Sequence, residues 1–260
     1  MTTMQDSSRE GCLTESTRNF DAVMIGAGFS GLYMLYRLRD KLGLSVRVYE
    51  AGDGVGGTWY WNRYRGARCD SDSYVYCYTF DKQLLQEWEW SERYPEQPEI
   101  LRYLNHVADR FDLKRDIHFG TRITEARFDE RGNRWVIRTD RGDFASARYL
   151  ITAVGNLSAA NLPNFKGLES FRGRWYHTSQ WPQGGLDFTA KRVAVVGTGA
   201  TAVQAIPEIA QQAKELTVFQ RTPSFCVVKG LWRCVCTAFP ILRGPTATSC
   251  PSWPRPATGL

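Results

Sequence analysis

The residue types best able to do chemistry sit at matching distances behind two glycine clusters. Glu50 comes twenty-four positions after the first glycine of Gly26-Ala-Gly28-Phe-Ser-Gly31, and Arg221 comes twenty-four positions after the first residue of Gly197-Thr-Gly199-Ala-Thr-Ala202. In the first cluster Gly26 permits a tight turn, Gly28 lets a pyrophosphate approach backbone N–H groups at a helix start, and Gly31 allows close packing of helix on strand. A carboxylate at position 50 can hydrogen-bond both hydroxyls of a ribose. A guanidinium at position 221 has the opposite preference, because it can grip a ribose 2′-phosphate that a carboxylate would repel. The pair predicts one site for a free ribose and one for a phosphorylated ribose, with NADPH preferred over NADH at the second. Two such sites in one chain imply hydride passing from NADPH to a bound flavin.

The elements needed to hold these residues are legible around them. Asp21 to Ile25 is a short apolar strand that turns through the glycines into a helical pattern from Leu32 to Leu42, followed by a second strand from Ser45 to Tyr49. Arg192 to Val196, a helix through Ala213, and a strand from Leu216 to Phe219 repeat that βαβ design. Between them lie an irregular aromatic stretch from Gly52 to Phe80, a helical segment from Pro98 to Phe111, and a meander of short strands at Arg122 to Phe128, Trp135 to Thr139 and Ala147 to Thr152. The fold class is therefore α/β: a Rossmann-type FAD-binding fold with a β-meander insert, followed by an incomplete NADPH-binding Rossmann domain. The expected divisions are a flexible arm over 1–18, an FAD-binding domain over 19–155, a partial NADP-binding domain over 156–228, and an atypical, disordered tail over 229–260.

Composition narrows the class further. The formal net charge of +6 is concentrated after Leu216, where no Asp or Glu occurs but Arg221, Lys229, Arg233, Arg243 and Arg255 do. The rest is nearly neutral, so charge offers no reason to expect a nucleic-acid partner. The most apolar window, Phe225 to Leu242, is broken by Lys229 and Arg233, which argues against a membrane span, and the acidic start lacks the form of a signal peptide. A cytoplasmic protein with reduced cysteines is expected. Cys69 and Cys77 have the wrong spacing for a redox pair, and Cys234-Val-Cys236 has no nearby His, so no metal site is expected.

Two longer stretches resemble a known family. Gly56-Gly-Thr-Trp-Tyr-Trp-Asn-Arg-Tyr-Arg-Gly-Ala-Arg68-Cys69-Asp70 is similar to the flavin-side signature of Baeyer–Villiger monooxygenases, the class B flavin-containing monooxygenases. Phe171-Arg-Gly173-Arg-Trp-Tyr-His177-Thr-Ser-Gln-Trp181-Pro182 fits the fixed positions of that family's F-x-G-x-x-x-H-x-x-x-W-P fingerprint. The resemblance runs from about Asn19 to Val228. It implies FAD and NADPH as cofactors, O2 and a small-molecule ketone as substrates, and an ester or lactone as product; it also implies that 19–155 is a first segment of the FAD-binding domain and that 156–228 is a linker with part of the NADP-binding domain.

The site residues follow from the same resemblance. Thr58, Trp59, Tyr60, Trp61, Asp70, Ser71 and Tyr76 match positions that contact FAD. Arg68, Cys69 and Asp70, the run Thr198, Gly199, Ala200, Thr201, Ala202, Val203 and Gln204, and then Arg221 and Thr222 match positions near NADP. Asp70 is expected to be a partly buried carboxylate supporting catalysis beside the flavin, paired with an arginine beyond position 260. His177 is expected in a linker between domains, without a proton-transfer role. Stacking on a flavin would suit Trp59 or Trp61. Arg65 and Val154 depart from the family pattern, which usually has proline and an Ala-Thr-Gly run there. Two other readings stay open: a catalytically incomplete dinucleotide-binding fragment, and an NADPH-dependent N-hydroxylase-like flavoenzyme.

Overall fold

The computed structural model describes residues 18–223. The tail expected over 229–260 and all of the arm except Arg18 lie outside the described residues. Arg18 belongs to a strand, because it pairs with Ala145.

The first unit is built on β1 (Arg18–Ile25), whose Ala22, Val23 and Met24 are fully buried. That stretch is covered on both faces, and this is why Ala22 to Ile25 reads as a continuous apolar run and not an alternation. β2 (Val46–Tyr49) and β6 (Phe144–Thr152) flank it in parallel. The short β3 (Ile117–His118) extends the β2 side, while β4 (Ile123–Asp129) and β5 (Arg134–Thr139) extend the β6 side antiparallel. The resulting order is β3-β2-β1-β6-β5-β4. The meander is thus fused into the nucleotide-fold sheet, since β6 pairs with β1 on one side and β5 on the other.

One face of this sheet is covered by α1 (Phe29–Tyr36) and α4 (Gln97–Arg110). Ile100, Tyr103, Leu104 and Val107 follow the spacing of one helical face and pack with Met24, Val48, Leu32 and Leu35. On the other face Val23, Tyr49, Ile137, Ala145 and Ala147 form a smaller cluster. The helix expected over Leu32 to Leu42 starts earlier and ends differently: Leu32 N–H donates to the Gly28 carbonyl, and Arg37–Lys41 form a π-helical turn. The wider turn coincides with Arg39, which donates to the carbonyls of Phe111 and Asp112 and to Asp116.

The aromatic stretch contains α2 (Thr58–Trp61) and is followed by α3 (Lys82–Glu87), two helices too short to show periodicity. It is pinned over α1 by buried phenols. Tyr78 donates its hydroxyl to the Phe29 carbonyl, and its own amide donates to the Tyr103 hydroxyl at 2.8 Å. Burial pushes both phenols well above the usual tyrosine range.

The second unit pairs β7 (Arg192–Val196) in parallel with β8 (Glu215–Phe219), joined by α5 (Ala200–Ala210). The expected helix through Ala213 stops three residues short, because Ala213 turns back to bridge Thr189. Among the described residues no helix is long and apolar enough to cross a membrane.

Tyr103→Phe removes the acceptor of a buried amide while changing little volume. The expected cost is about 1–3 kcal/mol, read as a lower urea midpoint at an unchanged slope.

Candidate functional site

The first glycine turn carries a sharply defined acceptor. Glu50, at the end of β2, is buried, and its two carboxylate oxygens accept the Ala27 and Gly52 amides at 2.8 Å each. Each oxygen keeps a second lone pair, so the carboxylate can still accept from hydroxyls of a ligand. Its internal role is one that spacing alone does not reveal.

The backbone around it fits a dinucleotide. A Cβ at Gly28 would lie 3.3 Å from the Gly57 Cα, so two glycine-bearing loops meet backbone to backbone at the start of α1. A Cβ at Gly31 would lie 2.0 Å from the Gly26 carbonyl oxygen, which enforces the close helix packing that its spacing suggests. No side chain caps α1, leaving its first-turn N–H groups to a ligand's anionic oxygens.

The aromatic candidates separate. Trp59 is only 8% exposed and donates its indole N–H to the Tyr76 hydroxyl at 3.0 Å, with the rings edge to face. Tyr60 is also buried, and its hydroxyl accepts the Asp53 amide beneath the Gly52–Gly57 turn. Trp61 is 43% exposed, so of the two indoles it has the freer face. Thr58 opens α2 half-buried, and Ser71 is exposed. One expectation is corrected here. Asp70 is exposed, not partly buried, because the chain turns outward between buried Cys69 and Ser73. Cys69 faces the core, where burial pushes its thiol up, so only its backbone is available to a ligand.

The second glycine turn is open. A Cβ at Gly197 or Gly199 would meet nothing within 4 Å, which is the room a pyrophosphate needs. No side chain caps α5. Val196 and Phe219, 63% and 55% exposed, end the parallel strands β7 and β8 beside the turn. Such carboxyl ends are where open α/β sheets receive ligands. Thr198 accepts from Gln220 across the two strand ends, leaving its O–H free to donate, and Arg221 and Thr222 follow β8 exposed. Along α5, Ala200 and Val203 are exposed, Thr201 is half-buried, and Ala202 is buried where a close-packed helix needs a small residue.

Two residues assigned to this turn have other partners. The Arg68 guanidinium pairs with Glu96 at 2.7 Å and Glu92 at 3.3 Å. The Gln204 carboxamide turns toward the first unit, bonding Tyr64 and the Arg68 backbone. Tyr64 and Gly66 were not singled out from sequence, although both lie in the signature run; nothing in their spacing announces a partner far along the chain.

The fingerprint is mechanical. His177 Nδ1 lies 2.7 Å from the Ser179 hydroxyl and accepts the Ser179 amide, capping a short turn that leads to Trp181. Trp181 is buried with Phe188 against Ala205 and Ile209 of α5. His177 thus helps seat the connecting segment on the second unit.

Comparison with known proteins covers the same region. A family model described as pyridine nucleotide-disulphide oxidoreductase matches residues 23–227. A Baeyer-Villiger monooxygenase of Pseudooceanicola batsensis is 50% identical over 221 residues, covering 84% of this chain and 40% of that protein. An acetone monooxygenase (methyl acetate-forming) of Gordonia sp. is 52% identical over 212 residues, covering 82% and 40%. The crystal structure of cyclohexanone monooxygenase from Rhodococcus sp. Phi1 bound to NADP+ superposes with a TM-score of 0.79 at 48% identity, covering 82% of this chain and 40% of that one. The chain spans about 40% of the length of these relatives.

Glu50→Gln keeps the shape but sets an NH2 group against one of the two backbone amides. Without any nucleotide present, the expected loss is about 1–3 kcal/mol, measured by urea denaturation.

Proposed function

We propose, on the premise that this chain belongs to the pyridine nucleotide-disulphide oxidoreductase family and within it to the Baeyer–Villiger, class B flavin monooxygenase lineage, that it carries the FAD site and part of the NADPH site of a monooxygenase inserting one oxygen atom of O2 beside a ketone carbonyl. The product is an ester or lactone. The observation that carries this reading is the opposed pair at the two strand ends: a buried, doubly bonded Glu50 after β2 and an exposed Arg221 after β8.

In this reading residues 19–155 are the first FAD-binding segment, and 156–228 comprise a linker and part of the NADP-binding domain. Gly26, Gly28 and Gly31 admit the FAD pyrophosphate to the start of α1, and Glu50 takes the ribose hydroxyls. Thr58, Trp61, Ser71 and the exposed carboxylate of Asp70 line the path of the flavin end, with Trp59, Tyr60 and Tyr76 holding that wall rigid from behind. Gly197 to Val203 receive the NADPH pyrophosphate, and Arg221 with Thr222 takes the 2′-phosphate. When bound, NADPH supplies the hydride and FAD the means to activate dioxygen. The protein's part is to orient both and to exclude water. The acetone and cyclohexanone relatives support a ketone as substrate. A reducing, cytoplasmic setting belongs to the same proposal and is supported by the unpaired thiols of Cys69 and Cys77.

The chain purified with added FAD should hold a yellow flavin band that bleaches on adding NADPH without oxygen. Arg221→Ala should weaken NADPH binding by about 10- to 100-fold while changing NADH binding little, the size expected for losing charge-assisted hydrogen bonds. A colourless protein, or a flavin band that NADPH leaves unchanged, would restrict the chain to the role of a nucleotide-binding fragment without hydride transfer.

A further inference from the structure

The two glycine turns are separated by more than 160 positions in sequence, roughly a domain's length, yet α5, which follows the second turn, meets the Tyr64–Arg68 turn of the first unit. Arg68 lies opposite Glu96 in an isolated antiparallel bridge. Its neighbours make the ladder bonds: Gln97 N–H donates to the Ala67 carbonyl at 2.8 Å, and Cys69 N–H donates to the Pro95 carbonyl at 2.9 Å. The N–H and C=O of Arg68 therefore point the other way, where an edge would normally be left unpaired. On that side stands the carboxamide of Gln204. Its Oε1 accepts the Arg68 N–H at 3.2 Å and the Tyr64 hydroxyl at 2.8 Å, while its Nε2 donates to the Arg68 carbonyl at 3.0 Å.

A carboxamide is the side-chain equivalent of a peptide group, and here it stands in for the missing strand. Only an amide offers donor and acceptor side by side at this spacing; Glu lacks the donor and Asn is one methylene shorter. The approach is made possible by Gly66, in the same turn, which has a φ of +77° and whose Cβ would lie 2.3 Å from the Gln204 backbone carbonyl oxygen. Polar pairing and steric close approach thus act on the same two segments.

We infer that Gln204 is a positioning residue: its carboxamide clasps the Tyr64–Arg68 turn and so fixes the start of α5, with the second glycine turn, against the first unit. The inference rests on the reading of those turns as NADPH and FAD sites. It also reassigns Gln204 from contact with the nucleotide to contact with the protein. An unclasped α5 would still bind each nucleotide but would hold them in a looser mutual geometry, and hydride transfer is highly sensitive to such displacement.

The test uses the whole chain and two variants, Gln204→Leu and Gln204→Glu. Amide hydrogen exchange resolved at Arg68 is the readout independent of cofactor. Gln204→Leu should speed exchange at Arg68 by about tenfold, the equivalent of one lost hydrogen bond, with the β1 and β6 amides unchanged. Gln204→Glu keeps an acceptor for the Arg68 N–H and loses only the donor to the Arg68 carbonyl, so its Arg68 exchange should lie between wild type and Gln204→Leu at the same pH. With FAD bound, the anaerobic rate of flavin reduction at saturating NADPH should fall by about tenfold or more in Gln204→Leu, with FAD affinity within about twofold of wild type. Unchanged Arg68 exchange in Gln204→Leu overturns the clasp, as does a Glu variant whose Arg68 amide exchanges as fast as that of Leu. Should Gln204→Leu lose protection throughout β1 and β6, the Glu variant decides: faster Arg68 exchange than wild type with β1 and β6 still protected upholds the clasp, and Arg68 exchange equal to wild type overturns it. Altered exchange with an unaltered reduction rate overturns the positioning role, and a wild-type chain whose flavin NADPH cannot bleach defeats the functional reading while the exchange result still stands.

Discussion

Glu50 concentrates the constraints on which the first unit depends. Its carboxylate accepts amides from the turns after β1 and β2, its own N–H donates to the His118 carbonyl, and its carbonyl accepts the Thr121 amide. These bonds gather the strand ends of β1, β2 and β3 at one point, where the Gly56 amide also donates to the Ala27 carbonyl. A buried carboxylate is costly unless it is fully hydrogen-bonded. Once the backbone has paid that cost, the carboxylate presents its remaining lone pairs in a fixed direction. Gly28 and Gly57 meet beside the same point, where a Cβ at Gly28 would lie 3.3 Å from the Gly57 Cα.

The fold was legible in sequence wherever a pattern repeats. The apolar run of β1, the helical stripe of α4 and the three meander strands all extend over enough residues for burial to impose a period. Short elements left no such trace: β3 has two residues and α2 has four, and each exists because of a tertiary partner. The π-helical turn at Arg37–Lys41 was also invisible, since the carbonyls that Arg39 reaches lie more than seventy positions away.

The candidate site divides along the same line. Backbone features such as the glycine turns and the strand-end positions of Glu50 and Arg221 are written in local spacing. The destinations of polar side chains are not. Arg68 is taken by two carboxylates, Cys69 turns inward, Asp70 turns outward, and Gln204 bridges to the other unit. Each outcome depends on what the completed fold brings within about 3 Å, which no fixed interval along the chain encodes.

The two strand-end residues also differ in how they would discriminate. Glu50 is immobilised before any ligand arrives, so its selectivity is geometric: hydroxyls placed to donate are accepted, and a phosphate at the same place meets a buried negative charge. Because that charge is shielded from solvent, added salt screens it weakly. Arg221 is exposed, so ordering its side chain costs entropy on binding and its attraction for a phosphate is weakened by salt. In the proposed reading the first turn would be preorganised and selective through shape, and the second selective mainly through charge. That asymmetry would suit, under the proposed function, a cofactor that stays bound at the first position and one that is exchanged at the second. It also makes the mutual placement of the two turns a separate structural requirement, one that neither strand-end residue can meet alone.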